Sequence, residues 1–297
     1  MLKIIPLLLA ALGVVSAATY AAPELTVTKV GQELEMEHTN GTDDTVAWLW
    51  NSVGLKYDDW SFGLTAGKKW NYDNDDKADA KGVINDKGIT SNNHRLQFDV
   101  SKPVTDNLTL KGRYRGEKNL DRFQVGYDYS YGMFLSSGDF WYDFYNDGGA
   151  QGHDELRTEW FPIGVKIGPV TAKYFVDYRE DLGGREVGQR ESYLEHQVRL
   201  YAPLYKADKF SLSTEARITL HAEEERVEGK KYEGYSTFED FGCNRVYLKA
   251  NYALSENLNV YANYFYEFKE REARDGYKKS LDNANTQNLV LGWSYTF

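Results

Sequence analysis

From residue 26 to residue 297 this chain alternates apolar and polar side chains with a period of two. Trp60, Phe62, Leu64, Ala66, Trp70 and Tyr72 hold one parity, while Ser61, Gly63, Thr65, Gly67, Lys69 and Asn71 hold the other. Successive side chains of an extended strand point to opposite faces, so such a run is a strand with one apolar face. The same reading applies at 95–100, 108–115, 122–131, 170–179, 194–200, 210–220, 245–252, 258–268 and 289–297. Weaker alternation near 26–38, 44–56, 138–146 and 155–167 brings the expected count to about fourteen strands, roughly twenty residues for each strand and its connection. An even number returns the chain to the side on which it began.

The connections fall into two kinds. Short ones are expected near 56–60, 101–107, 131–138, 168–169, 203–209 and 253–257, and longer polar ones at 73–91, 179–192, 223–240 and 269–286, with smaller ones near Thr39, Gly116 and Asp147. Short turns on one side and long loops on the other are the pattern of an outer-membrane barrel. Pro103, Pro169 and Pro203 sit in the short turns, where a missing ladder donor does no harm. Pro162 lies inside an expected strand, and the parity slips there: Leu156, Thr158 and Trp160 are even, whereas Ile163, Val165 and Ile167 are odd. A β-bulge accounts for the slip.

Composition then removes competing classes. The 297 residues carry 35 Lys+Arg against 45 Asp+Glu, a net charge of -10, with no concentrated basic block, which argues against nucleic acid as a partner. A mean hydropathy of -0.62 resembles that of a disordered chain, but 15% aromatic residues oppose disorder. Cys243 is the single cysteine, so neither an internal disulfide nor a CxxC zinc cluster can form; it is expected to be an incidental free thiol near the barrel rim. Lys3 precedes an apolar stretch from Ile4 to Val15 that ends in Val15-Ser16-Ala17. This predicts a secretory signal over 1–17, with 18–297 as one transmembrane β-barrel domain.

A soluble sandwich also alternates, and the aromatics decide between the two. Tyr, Trp and Phe gather at strand ends, as in Trp60/Trp70/Tyr72, Tyr127/Tyr129/Tyr131, Tyr264/Tyr266/Phe268 and Trp293/Tyr295/Phe297. Amphipathic rings collect there when they meet a lipid interface. The apolar parity is almost free of charge, with His196 as the visible exception. The expected fold is therefore all-β: a transmembrane antiparallel up-and-down barrel in a bacterial outer membrane, in contact with lipids and lipopolysaccharide.

The polar parity faces inward in such a barrel. Its basic members are Lys111, Arg113, Arg115, Arg122, Arg157, Lys173, Arg179, Arg199, Arg217, Arg245 and Lys249. Its acidic members are Glu33, Glu35, Glu37, Asp99, Asp128, Asp139, Asp143, Glu159, Asp177, Glu195, Glu215 and Glu267. Arg199, Arg217 and Arg245 are expected on one wall, while the first strand contributes three glutamates. Two readings follow: a transverse field that orients ions and sugar hydroxyls, or ordinary cross-strand ion pairing that keeps the wall solvated and rigid.

Nothing assembles into a catalytic constellation. The pair His153-Asp154 sits in a loop, and no serine nucleophile with a positioned base can be read. The acidic loop Asp73, Asp75, Asp76 and Asp79 lacks the Gly and terminal Glu of a calcium loop. No enzyme activity, metal or cofactor is expected.

Several stretches resemble the outer membrane protein G family of monomeric, fourteen-stranded porins: Asp59-Trp60-Ser61-Phe62-Gly63-Leu64-Thr65-Ala66-Gly67, Gln197-Val198-Arg199-Leu200-Tyr201-Ala202-Pro203-Leu204, Asn244-Arg245-Val246 after Asp240-Phe241, and the ending Gly292-Trp293-Ser294-Tyr295-Thr296-Phe297. A second family, the small monomeric porins that take up acidic oligosaccharides, is similar in style but has twelve strands. The first resemblance implies a single-chain, weakly selective pore for ions and small hydrophilic solutes, oligosaccharides included. It also implies a gating loop before the twelfth strand, here 223–240 with Glu223, Glu224, Glu225, Gly229 and Gly234. The family's histidine pair at the mouth has no counterpart in 235–244 or 267–275, and His221 is expected to stand alone. The competing class is a closed barrel that works through its outer loops in adhesion or membrane integrity.

Overall fold

Among the residues described by the computed structural model, which are 24–40, 44–73, 88–145, 154–183, 189–227, 236–273 and 285–297, the secondary structure is strand and turn. The expected signal segment lies outside them. The strands are β1 (Thr26–Thr39), β2 (Asp44–Tyr57), β3 (Trp60–Asp73), β4 (Gly88–Thr105), β5 (Leu108–Glu117), β6 (Leu120–Tyr131), β7 (Phe134–Tyr145), β8 (Asp154–Ile167), β9 (Val170–Leu182), β10 (Arg190–Lys206), β11 (Phe210–Arg226), β12 (Ser236–Ala253), β13 (Leu258–Ala273) and β14 (Thr286–Thr296). Each pairs antiparallel with its chain neighbours, and β14 pairs with β1 to close the barrel. All fourteen strands lie where the alternation places them.

The strands outrun the alternation on the long-loop side. β4 begins at Gly88, β9 reaches Leu182 and β11 reaches Arg226. Above the bilayer both faces of a strand meet water, so the sequence pattern fades while the backbone ladder continues. On the other side β2 turns into β3 at Asp58-Asp59, β6 into β7 at Gly132-Met133, and β8 into β9 at Gly168-Pro169. The first residue of each turn has positive φ (55°, 58° and 58°), as tight turns between right-twisted strands require.

Of the register shifts between strands, those in β8 and β11 bear on the sequence reading. Trp160 pairs with Val176 and Ile163 with Tyr174, so β8 has an extra residue beside Pro162, as the parity slip indicated. In β11, His221 pairs with His196 and Thr219 with Gln197, leaving Leu220 as the extra residue. Paired residues share a face, so His221 turns outward beside His196, and Ala222 and Glu224 turn inward. His221 therefore does not stand alone.

Burial is inverted relative to a water-soluble core. Asp143 is 0% exposed and Glu215 3%, while Val125 is 65% exposed and Ile163 52%. The aliphatic surface belongs against lipid and the carboxylates against the lumen. Outward rings form two belts. Trp60, Tyr131, Phe134, Tyr205, Tyr252 and Trp293 lie towards the short turns, and Tyr72, Phe144, Tyr178 and Phe268 towards the other rim, all exposed. His196, on the lipid side, shares a 2.6 Å hydrogen bond with the Tyr174 hydroxyl and stacks on its ring.

Neighbouring positions on β6 test this inside-outside assignment. Val125→Arg is expected to destabilise the barrel by about 2–4 kcal/mol, whereas Gln124→Glu, facing the lumen opposite Arg113, leaves it near wild type. Urea unfolding in lipid vesicles measures both.

Candidate functional site

The inner wall of β6 to β13 is organised in rungs, because the register sets inward residues of adjacent strands side by side. Lys173, Arg199, Arg217 and Arg245 form one continuous rung that ends at Glu267. Nearer the long-loop side come Asp139, Glu159, Asp177 and Glu195. Next are Trp141, Arg157, Arg179 and Tyr193, and then Arg122, Asp143, Glu155 and Asp181. Like charges thus often share a rung, where directly opposite like charges repel.

Relief comes largely along and diagonally between strands. Arg157 donates to Glu159 at 2.9 Å and to Asp177 at 2.8 Å, and Arg179 to Asp177 at 2.8 Å. Arg217 and Lys249 close on Glu215 at 2.6 and 2.5 Å. Lys269 meets Glu267 at 2.5 Å, and Arg245 pairs with the same carboxylate. Pairs directly across a rung also occur: Arg95–Glu117, Arg113–Asp99 and Arg122–Asp143. The last is bidentate, with Nε to Oδ1 at 2.6 Å and Nη2 to Oδ2 at 2.7 Å. The expected arginine wall of Arg199, Arg217 and Arg245 is present, but Arg217 and Arg245 are neutralised in place. Arg190, which the sequence reading left in a connection, closes β10 onto Asp181 at 2.8 Å and onto Glu155.

The other expected inward residues take these positions. Lys111 reaches Asp128 at 3.3 Å and Asp139 at 3.4 Å. Arg115 donates through Nε to Gln97 at 3.2 Å and sits opposite Arg122. Glu33 accepts from Tyr261, and Glu35 from Trp50 and Asn288. Glu37 lines a cavity of about 570 Å³ with Arg245, Lys249 and Glu267. Cys243, a free thiol paired in register with Lys269 one residue beyond Phe268 of the rim belt, lines a smaller cavity with Glu195 and Arg199.

Inward aromatics are the feature the sequence reading missed. Phe161 and Phe175 flank Arg199, whose guanidinium carbon lies 3.4 Å from the Phe175 ring centroid. Arg122 and Arg157 bracket Trp141, and Arg217, Arg245 and Lys249 surround Tyr247. The signal was available in parity: Phe175 lies two residues from both Lys173 and Asp177, and Tyr247 two from both Arg245 and Lys249.

The gating candidates are corrected in part. Glu223, Glu224 and Glu225 belong to β11, not to a loop; Glu224 faces inward beside Arg226, and Glu223 and Glu225 face outward. Gly229 and Gly234 lie outside the described residues. So does His153, while Asp154 accepts from the Tyr142 hydroxyl at 2.7 Å and the Tyr145 amide at 3.0 Å. Asp75, Asp76 and Asp79 also lie outside them.

No protein-family model matches the sequence, and neither does any curated protein. Solved structures do match. A structure described as a bacterial polysaccharide outer membrane secretin covers 91% of this chain and 98% of its own at 6% identity, with a TM-score of 0.53. A TodX deltaS2S3 mutant monoaromatic hydrocarbon channel covers 93% and 91% at 9% identity, with a TM-score of 0.51. The chain folds as an outer-membrane β-barrel. At such identities the likeness is one of fold.

Removing one partner of the enclosed Arg122–Asp143 pair tests the wall. Arg122→Leu is expected to destabilise the barrel by about 3 kcal/mol by leaving Asp143 charged and unpaired. Adding Asp143→Leu is expected to restore most of that loss in the same urea assay.

Proposed function

We propose that the protein is a monomeric, passive channel of the bacterial outer membrane, carrying ions and small hydrophilic solutes with weak selectivity. The observation that carries this reading is the inner wall itself: charged groups of both signs, paired with one another, line cavities that open into the lumen. The 570 Å³ and 330 Å³ recesses have polar walls, which suits hydrated solutes better than lipids. Balanced signs lower the barrier to cations and anions alike. The resemblance of individual strands to the outer membrane protein G family supports the same reading, with the connection between β11 and β12 as the gate and no catalytic role.

A closed structural or adhesive barrel is the second reading, favoured by the tight enclosure of Asp143, Thr219 and Glu215 on one wall. Single-channel recording of the refolded protein in planar bilayers separates the two. Discrete steps with a small reversal potential in a salt gradient are expected. A folded barrel that carries no current would rule the channel out.

A further inference from the structure

Two glycines on the opposite wall mark a built recess. A Cβ on Gly67 of β3 would stand 2.1 Å from the Trp50 ring, and one on Gly292 of β14 would stand 2.4 Å from Cζ of Tyr261. Each ring therefore lies over the bare backbone of a neighbouring strand. Between them β1 presents Glu33 and Glu35, which the same two side chains orient: Tyr261 Oη donates to Glu33 Oε2 at 2.7 Å and Trp50 Nε1 to Glu35 Oε2 at 2.9 Å. Asn288 Nδ2 holds the second oxygen of Glu35 at 3.0 Å. Trp48 stacks on Trp50 with centroids 4.4 Å apart and so extends the aromatic surface. Across the recess, Arg95 and Gln97 of β4 close a cavity of about 330 Å³.

We propose that this recess is a saccharide-binding subsite in the lumen, formed by Trp50, Tyr261, Glu33, Glu35, Arg95 and Gln97. The inference rests on the channel reading and adds to it a location at which a saccharide is held. A pyranose has an apolar C–H face and a rim of hydroxyls that both donate and accept. Aromatic rings meet the face, the carboxylates retain lone pairs for hydroxyl protons, and the guanidinium and amide donate to hydroxyl oxygens. The same set of groups disfavours other ligands. Glu33 and Glu35 repel anions, and an apolar molecule would strip water from two carboxylates; Arg95, held by Glu117 at 2.6 Å and lying over the Trp48 and Trp50 rings, closes the recess without adding a free charge. A neutral oligosaccharide fits all six groups.

The test uses maltohexaose as the probe, added to one side of a bilayer that holds single wild-type channels. Brief, concentration-dependent interruptions of the current are expected. In Trp50→Ala and Tyr261→Ala the blocking constant should weaken at least roughly tenfold, with open-channel steps still present. Trp50→Phe and Tyr261→Phe keep an aromatic ring and should block at intermediate strength, which covers the case in which an alanine variant does not fold. Tyr205→Phe, on the outer belt near the short turns, should block as the wild type does. A conducting wild type that maltohexaose never interrupts overturns the subsite and leaves the channel reading standing. Unchanged block in all four Trp50 and Tyr261 variants overturns its location. A folded barrel without any conductance overturns both.

Discussion

Closure of the hydrogen-bond ladder is the constraint from which the rest follows. Inside a bilayer no water is available for backbone amides and carbonyls, so a strand can cross only if both of its edges are paired. Here every strand has two partners, and the β1–β14 seam runs through eleven paired positions from Lys29–Thr296 to Thr39–Thr286. Once the backbone is satisfied by this ring, each side chain has only two destinations. The two-residue period then becomes a map of solvent, with lipid on one parity and lumen on the other.

The lumen parity carries its own constraint. A row of inward cations such as Lys173, Arg199, Arg217 and Arg245 would repel across rungs, and the chain answers by changing sign along each strand. Glu215 precedes Arg217 by two residues, and Lys269 follows Glu267 by two, so the local partner is fixed by the strand's own pleat. Aromatic faces such as Phe175 and Tyr247 hold guanidiniums whose donors are only partly engaged by carboxylates. One wall is thereby crowded and rigid. The other, where Trp50 and Tyr261 lie over glycine backbone, is recessed.

Strand number, turn positions and the bulge at Pro162 were legible in the sequence because each rests on a local rule: parity, turn chemistry and the missing amide of proline. Inward residues from Glu33 to Glu267 were legible for the same reason. The inward aromatics were marked by the same parity but overlooked, because a ring is equally at home against lipid or against a guanidinium and its type does not announce the face. Nor was the pairing pattern legible, since which carboxylate an arginine reaches depends on inter-strand register. The bulge at Leu220 left no proline or glycine to announce it. For that reason Glu223, Glu224 and Glu225 read as a loop, although they continue β11.

That bulge separates β11 into two segments with independent histories. Below Leu220 the strand is tied to the charge order of the lumen; above it, one added residue exchanges the inner and outer sets. Insertion or deletion of a single codon at this position would therefore exchange the inward set above the bulge, Ala222 and Glu224, for the outward set, His221, Glu223 and Glu225, and leave the lining below it, from Glu215 to Thr219, in place. The upper end of the strand can thus trade its two faces in one mutational step, without passing through a barrel that fails to close.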